Sequence, residues 1–232
     1  MKDWWLDERS FAGREHLDEA FVEGYDAKAQ VDPTADVELL RSLGLDESSS
    51  VLELGAGTGV LSLAVAPFAG AVTAVDVSNV MTATIRRKLA ENALANVTVV
   101  EAGFLTYEHR GVPPDFVYTR NALHQLPDLW KVVALSRIAA LMAPHGVLLV
   151  RDLVFDLEPA DVETGVEAWA AGAMAEDPRK GYTRADLAEH VRTEFSTYTW
   201  LFEAMLERTG FEILDKVVRR STYADYTCRL RR

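Results

Sequence analysis

The chain has 232 residues, 49% of them hydrophobic and 26% charged, which suits one large domain, or one domain with an elaborated cap, built on a sizeable core. Its 24 Lys and Arg against 36 Asp and Glu leave a net charge of −12, which disfavours nucleic acid and anionic membranes and leaves small molecules or proteins as partners. The single cysteine, Cys228, excludes an internal disulfide and any multi-cysteine metal site.

The opening Met1-Lys2-Asp3-Trp4-Trp5 has no signal-peptide layout, and the apolar run Gly59 to Val75 is broken by Pro67 and Gly70, so a cytoplasmic protein is expected. The first 30 residues, carrying Trp4, Trp5, Phe11, Phe21 and Tyr25, read as helical. From Asp32 strands and helices alternate, which predicts a parallel sheet covered on both faces. Asp32 reads as an N-cap, with Pro33 opening a helix that ends near Gly44.

The first strand, Val51 to Leu54, runs straight into Gly55-Ala56-Gly57-Thr58-Gly59 and then into a helix from about Thr58 to Phe68. Glycines there let the backbone turn tightly and approach a ligand, and the helix behind them offers free N–H groups. The spacing separates kinds of nucleotide site. Val60 stands where a dinucleotide fold has its third glycine, and the Gly-Lys-Ser/Thr of a phosphate-cradling loop is absent. Glu53 before the first glycine would repel a pyrophosphate and suits a ligand carrying positive charge.

The second strand, Ala71 to Val75, ends in Asp76, a carboxylate able to accept both hydroxyls of a ribose diol or simply to cap the next helix. Ser78 caps a helix reaching about Leu94, and Val97 to Glu101 is the third strand. Phe116 to Thr119 is the fourth, leading into Arg120-Asn121-Ala122-Leu123-His124-Gln125-Leu126-Pro127. Asp128 then caps a helix placing Val132, Leu135, Ala139 and Met142 on one face, and Val147 to Val150 is the fifth strand.

Beyond Asp152 the pattern turns helical, with an apolar stripe of Val162, Val166, Trp169 and Ala173 and a capping box at Thr183 to Asp186. A helix from about Thr197 ends at Gly210, and strands Phe211 to Arg219 and Tyr223 to Leu230 form a closing hairpin. The fold class is therefore α/β: a doubly wound, mostly parallel seven-stranded sheet with a C-terminal antiparallel hairpin and a helical cap. The expected divisions are an N-terminal helical lid (1–31), a cofactor-binding core (32–152), a helical cap insertion (153–200), and the last helix and hairpin of the core (201–232).

In this order the segments Val51 to Gly59, Val75-Asp76-Val77-Ser78 with Met81, Asn121 to Leu126, and Leu141-Met142-Ala143-Pro144-His145-Gly146 resemble the class I, seven-stranded S-adenosylmethionine-dependent methyltransferases. Within them the likeness is greatest to the small-molecule branch that includes quinone-biosynthesis methyltransferases. The resemblance implies S-adenosyl-L-methionine as cofactor and S-adenosyl-L-homocysteine as product. It implies that Glu53, Gly55, Ala56, Gly57, Thr58 and Gly59 surround the methionine part, its ammonium near backbone oxygens of Gly55 and Asn121, that Asp76 binds the ribose, and that Val77, Met81 and Phe104 pack against the adenine. Tyr25 resembles a tyrosine that closes over the cofactor. Met81 fits a plain core position equally well, since Met81, Ile85 and Leu89 repeat at helical spacing.

One departure stands out. Many family members carry, after the third strand, an Asp that hydrogen-bonds the adenine amino group, and here that position is Gly103. Methyl transfer is an in-line displacement that needs alignment first, and a base only when the acceptor must lose a proton. His124 is the candidate base, with a structural histidine as its other reading, and Asp152 either meets an acceptor or orders a loop. Tyr25, Trp169, Tyr182, Tyr198 and Trp200 are candidates for an aromatic acceptor pocket, or helical core. The function expected is methylation of an O, N or C atom of a small metabolite by a monomer or homodimer. A catalytically inactive cofactor-binding regulator or partner subunit is the alternative, and a nicotinamide oxidoreductase a third reading that Val60 opposes. No metal is implied, the five histidines lying far apart in sequence.

Overall fold

The computed structural model describes residues 2–22, 24–29, 31–173 and 181–232. The strands are β1 (Ser50–Leu54), β2 (Ala71–Asp76), β3 (Val97–Glu101), β4 (Phe116–Arg120), β5 (Val147–Phe155), β6 (Thr197–Tyr198), β7 (Phe211–Arg219) and β8 (Tyr223–Leu230). The helices are α1 (Gly13–Leu17), α2 (Glu19–Val22), α3 (Tyr25–Ala29), α4 (Thr34–Ser42), α5 (Val60–Val65), α6 (Asn79–Glu91), α7 (Asp128–Leu141), α8 (Val162–Ala173), α9 (Arg184–Thr193) and α10 (Thr199–Arg208).

The sheet order is β3-β2-β1-β4-β5-β8-β7, parallel from β3 to β5 and antiparallel across β8 and β7, as the alternating pattern predicts. The two-residue β6, absent from the sequence reading, pairs with the far end of β5. Period-two alternation divides the strands between two cores. Val51, Phe116, Tyr118, Val147 and Leu149 face α4 and α5, whereas Leu52, Leu54, Val117, Leu148 and Val150 face the side holding α7 and α10. Leu52, Leu148 and Leu149 are wholly buried, each worth about 1.5–3 kcal/mol in transfer from water.

Several boundaries move for identifiable reasons. Pro33 occupies the N-cap position of α4, and the Asp32 carboxylate accepts the Thr34 N–H at 2.9 Å. The helix after the glycine loop stops at Val65 and continues as a short 3-10 turn through Pro67, which cannot donate to a helical ladder. Pro127, not Asp128, stands at the N-cap of α7, and Asp128 pairs instead with Lys131. The buried face of α7 is Trp130, Ala134, Leu135, Ile138 and Ala139, with Val132 on the exposed side.

The longest correction concerns β5, which runs five residues past Val150 to Phe155. Arg151 and Asp152 look like loop residues in the sequence but are both buried: Arg151 Nε reaches Asp36 of α4 at 3.0 Å, and Asp152 caps the segment after β4. The β7–β8 hairpin closes without glycine, with Arg220 and Ser221 at φ of 54° and 56°. Val154 and Asp156 donate their N–H groups to Thr222 and Ser221 carbonyls, contacts that offset the cost of two left-handed residues.

The described residues before α4 are helical in short pieces, a 3-10 turn at Glu8–Phe11 and then α1, α2 and α3. Trp5 packs edge-on to Trp130 of α7, with ring centroids 5.0 Å apart. The helical segment after β5 packs through Trp169, Ala170 and Leu187 against Leu153, with the predicted capping box present at Thr183 and Asp186. Residues 174–180, which fall inside the expected cap, lie outside the described residues.

Candidate active site

A cavity opens where the carboxyl ends of β1, β2, β3 and β4 meet the N-terminal segment. This is where ligands bind in open parallel sheets. Of the residues singled out by sequence, Tyr25, Gly55, Gly57, Asp76, Val77, Gly103, Phe104 and Asn121 line it. Glu53, Ala56, Thr58, Gly59, Met81 and His124 do not.

The glycine loop is shaped by close approach. Gly55 has φ 71°, and a Cβ there would stand 2.5 Å from the Ala122 Cβ, so only glycine lets the loops after β1 and β4 come this near. Asn121, at φ 48°, turns the chain after β4, and its N–H donates to the Arg151 carbonyl at 2.7 Å. Asp76 ties two loops together: one oxygen accepts the Gly57 N–H and the other the Ser78 N–H, each at 2.8 Å. Burial raises its carboxyl above the usual range, and these two amides oppose that.

Glu53 corrects an expectation. It follows Leu52 on β1 and therefore points to the opposite face, where its carboxyl accepts the Ser62 N–H at 2.9 Å at the start of α5. Burial pushes it up to about 8, so at neutral pH it is uncharged and does not face the ligand space. Met81 is wholly buried on the inner side of α6, and Gly59 is the left-handed N-cap of α5. Thr58 touches no ligand space either: its hydroxyl donates to Asp26 of α3, which also pairs with Lys88 at 2.6 Å.

His124 is 5% exposed and stands next in sequence to Gln125, which lines the cavity. Its Nδ1 meets Asp152 at 2.5 Å, and its Nε2 lies 3.0 Å from Glu194, which also contacts His190. Burial alone would lower its pKa, but the two carboxylates outweigh that and hold it at about 9. Burial would likewise raise Glu194, yet the two imidazoles hold it well below the usual carboxylate range. In this arrangement His124 is an imidazolium with both nitrogens engaged. Asp152 orders the loop: its oxygens also take the N–H groups of Leu123, His124 and Leu153.

The fold thus brings together histidines that are remote in sequence. The ligand-type atoms of His124, His190 and Glu194 lie within 4.8 Å of one another. One Glu194 oxygen touches both rings directly, which is the arrangement of an ion-paired cluster rather than of ligands spread around a cation.

The aromatic acceptor pocket is not assembled as expected. Trp169 is core, Tyr182 packs against the same cluster, and Tyr198 stacks on the exposed Trp200. Of the five aromatics named, Tyr25 alone lines the cavity, its ring edge-on to His16 at 5.5 Å. Sequence reasoning passed over Glu8, His16, Arg120 and Gln125, which also line it. Arg120 precedes the recognised Asn121; its Nη1 reaches Asp36 at 3.2 Å, while its Nε is buried without a hydrogen-bond partner. Glu8 belongs to no motif, and the gap left by Gly103 was the one signal pointing to it.

Residues 51–146 match the sequence family described as "Methyltransferase domain". An uncharacterized methyltransferase of Geobacillus kaustophilus is 27% identical over 219 residues, spanning 85% of this chain and 100% of its own length. Another, of Anoxybacillus flavithermus, is 29% identical over 210 residues, spanning 87% and 92%. An S-adenosylmethionine-dependent methyltransferase from Clostridium acetobutylicum has the same fold, with a TM-score of 0.67 at 14% identity over 91% of this chain and 98% of that one. Magnesium protoporphyrin IX methyltransferase from Synechocystis, solved with its bound methyl donor, gives 0.65 at 15% identity over 98% and 99%.

Proposed function

Because the chain belongs to the class I S-adenosylmethionine-dependent methyltransferases, we propose that it moves a methyl group to an O, N or C atom of a small metabolite by in-line displacement. The observation that carries this reading is the cavity itself, with Asp76 pinned between Gly57 and Ser78 and no side chain intruding at Gly55. The net charge of −12 weighs against nucleic acid or an anionic membrane, and no described helix is long and apolar enough to cross a membrane. A cytoplasmic monomer or homodimer remains the expected form.

The residues fit the cofactor by chemistry. Asp76 would accept the ribose hydroxyls, Val77 and Phe104 would flank the base, and the Gly55 and Asn121 backbone would receive the ammonium. Arg120, with its unpartnered Nε, is suited to the carboxylate. When bound, the cofactor supplies an electrophilic methyl group on a sulfonium. The chain's part is to hold donor and acceptor in line and exclude water, which contributes several kcal/mol. We assign Tyr25 and the N-terminal turns to covering the cavity, and His124 to charge pairing with Asp152 and Glu194.

The test is incubation of the protein with methyl-labelled cofactor and a cell metabolite extract. Label appearing in a low-molecular-weight product supports the reading. Label recovered only in protein or nucleic acid contradicts it.

A further inference from the structure

We propose that Glu8 is an adenine-recognition residue, its carboxylate accepting the exocyclic amine of the base from the place that a side chain at position 103 would otherwise fill. The inference rests on the reading that this cavity holds the cofactor.

Glu8 is 7% exposed, and its carboxylate receives the Leu105 N–H at 3.1 and 3.2 Å and the Thr106 hydroxyl at 2.9 Å. A Cβ on Gly103 would lie 2.1 Å from the Glu8 carboxyl carbon and 2.3 and 2.4 Å from its oxygens. A side chain at 103 would therefore displace the Glu8 carboxylate from this place. The neighbouring Arg9 fastens the segment, donating to the Val77 carbonyl at 3.2 Å and to Asn79 Oδ1 at 2.8 Å.

Strand order gives Glu8 its role. The cavity crosses the ends of β4, β1, β2 and β3 in that spatial order. A ligand whose amino-acid end sits at Gly55 and Asn121 and whose diol meets Asp76 extends next to the end of β3. There it finds the Phe104 ring and the Glu8 carboxylate. Burial raises the Glu8 carboxyl, but the Thr106 hydroxyl and Leu105 N–H that it accepts favour the ionised form, which is acceptor-only and so selects a donor. With the ammonium and the two hydroxyls assigned elsewhere, the remaining donor on the cofactor is the exocyclic amine. Because Glu8 comes from the N-terminal segment, recognition of the base and closure of that segment become one event.

The experiment compares binding of S-adenosylhomocysteine with that of S-inosylhomocysteine, whose base carries a carbonyl oxygen in place of the amine. Calorimetry is run on the parent, Glu8→Gln, Glu8→Ala and the double variant Glu8→Ala/Gly103→Asp, with circular dichroism melts as the control on folding. The parent is expected to prefer the amine-bearing ligand by about 10- to 100-fold, the worth of one charge-assisted hydrogen bond. Glu8→Gln and Glu8→Ala lose that preference, and the double variant regains it, because position 103 then has the vacated space. Gly103 has no left-handed φ to forbid a side chain. Should Glu8→Ala fail to fold, Glu8→Gln, nearly isosteric, decides. A parent that binds S-adenosylhomocysteine while Glu8→Gln keeps the full preference, or a folded double variant without it, overturns the proposal. A parent that binds neither ligand overturns the cofactor reading beneath it.

Discussion

Asp152 and His124 form one buried unit: the carboxylate meets the ring Nδ1 at 2.5 Å and also accepts the His124 backbone N–H at 3.2 Å. One side chain thereby sets the position and the charge of the other. The folded-state pKa of about 9 lies above the ordinary 6.5 because Asp152 and Glu194 outweigh burial, so the stabilisation is complete below pH 6.5 and is lost as pH rises through 9. His124→Gln is expected to cost about 3–5 kcal/mol at pH 6, since it strands buried carboxylates. The gap should narrow by pH 9.5 in urea unfolding; a gap independent of pH contradicts the imidazolium assignment.

Glu53 gives the opposite kind of prediction, a penalty in the parent that a variant removes. Its carboxyl titrates near 8 in the folded chain against 4.5 ordinarily, chiefly because of burial. Between those values the unfolded chain is ionised and the folded one is not, so stability falls with rising pH by up to about 1.4 kcal/mol per unit. Glu53→Gln keeps an acceptor for Ser62 and should flatten this slope, gaining on the parent from pH 5 to pH 8. Urea midpoints that move in parallel for the two proteins would refute it.

The strands were legible because apolar runs bounded by glycine and proline carry the signal locally: β7 and β8 fall where the sequence reading puts them. What escaped depends on partners far along the chain. Arg151 looks like a loop residue until Asp36 is beside it, and Glu8 is an ordinary surface acid until Gly103 leaves it room. Glu53 was assigned to the ligand from its place before the glycines, although strand alternation turns it away. The aromatics beyond β5 carried no information about which side of the cap they face.

Asp26 joins α3 to the glycine loop and to α6 through Thr58 and Lys88. The pair with Lys88 is partly exposed, so Asp26→Ala should change stability by only about 0.2–1 kcal/mol. Released from this tie, the N-terminal turns should let S-adenosylhomocysteine leave up to about fivefold faster in stopped-flow displacement. An unchanged dissociation rate would mean that the turns do not cover the ligand.

Cys228 sits wholly buried in β8, and burial pushes its thiol up to about 12. Thiol reagents should therefore label it at the rate of global unfolding, accelerating with urea. Rapid labelling of the native protein at neutral pH would show that the β7–β8 hairpin opens locally.

The most direct test of the account is calorimetric titration of S-adenosylhomocysteine into the parent and into Asp76→Ala, with melting curves to confirm that both are folded. The account predicts binding to the parent and a loss of tenfold or more in the variant, since Asp76 is assigned both ribose hydroxyls. No binding to the parent, or equal binding to the two proteins, would contradict it.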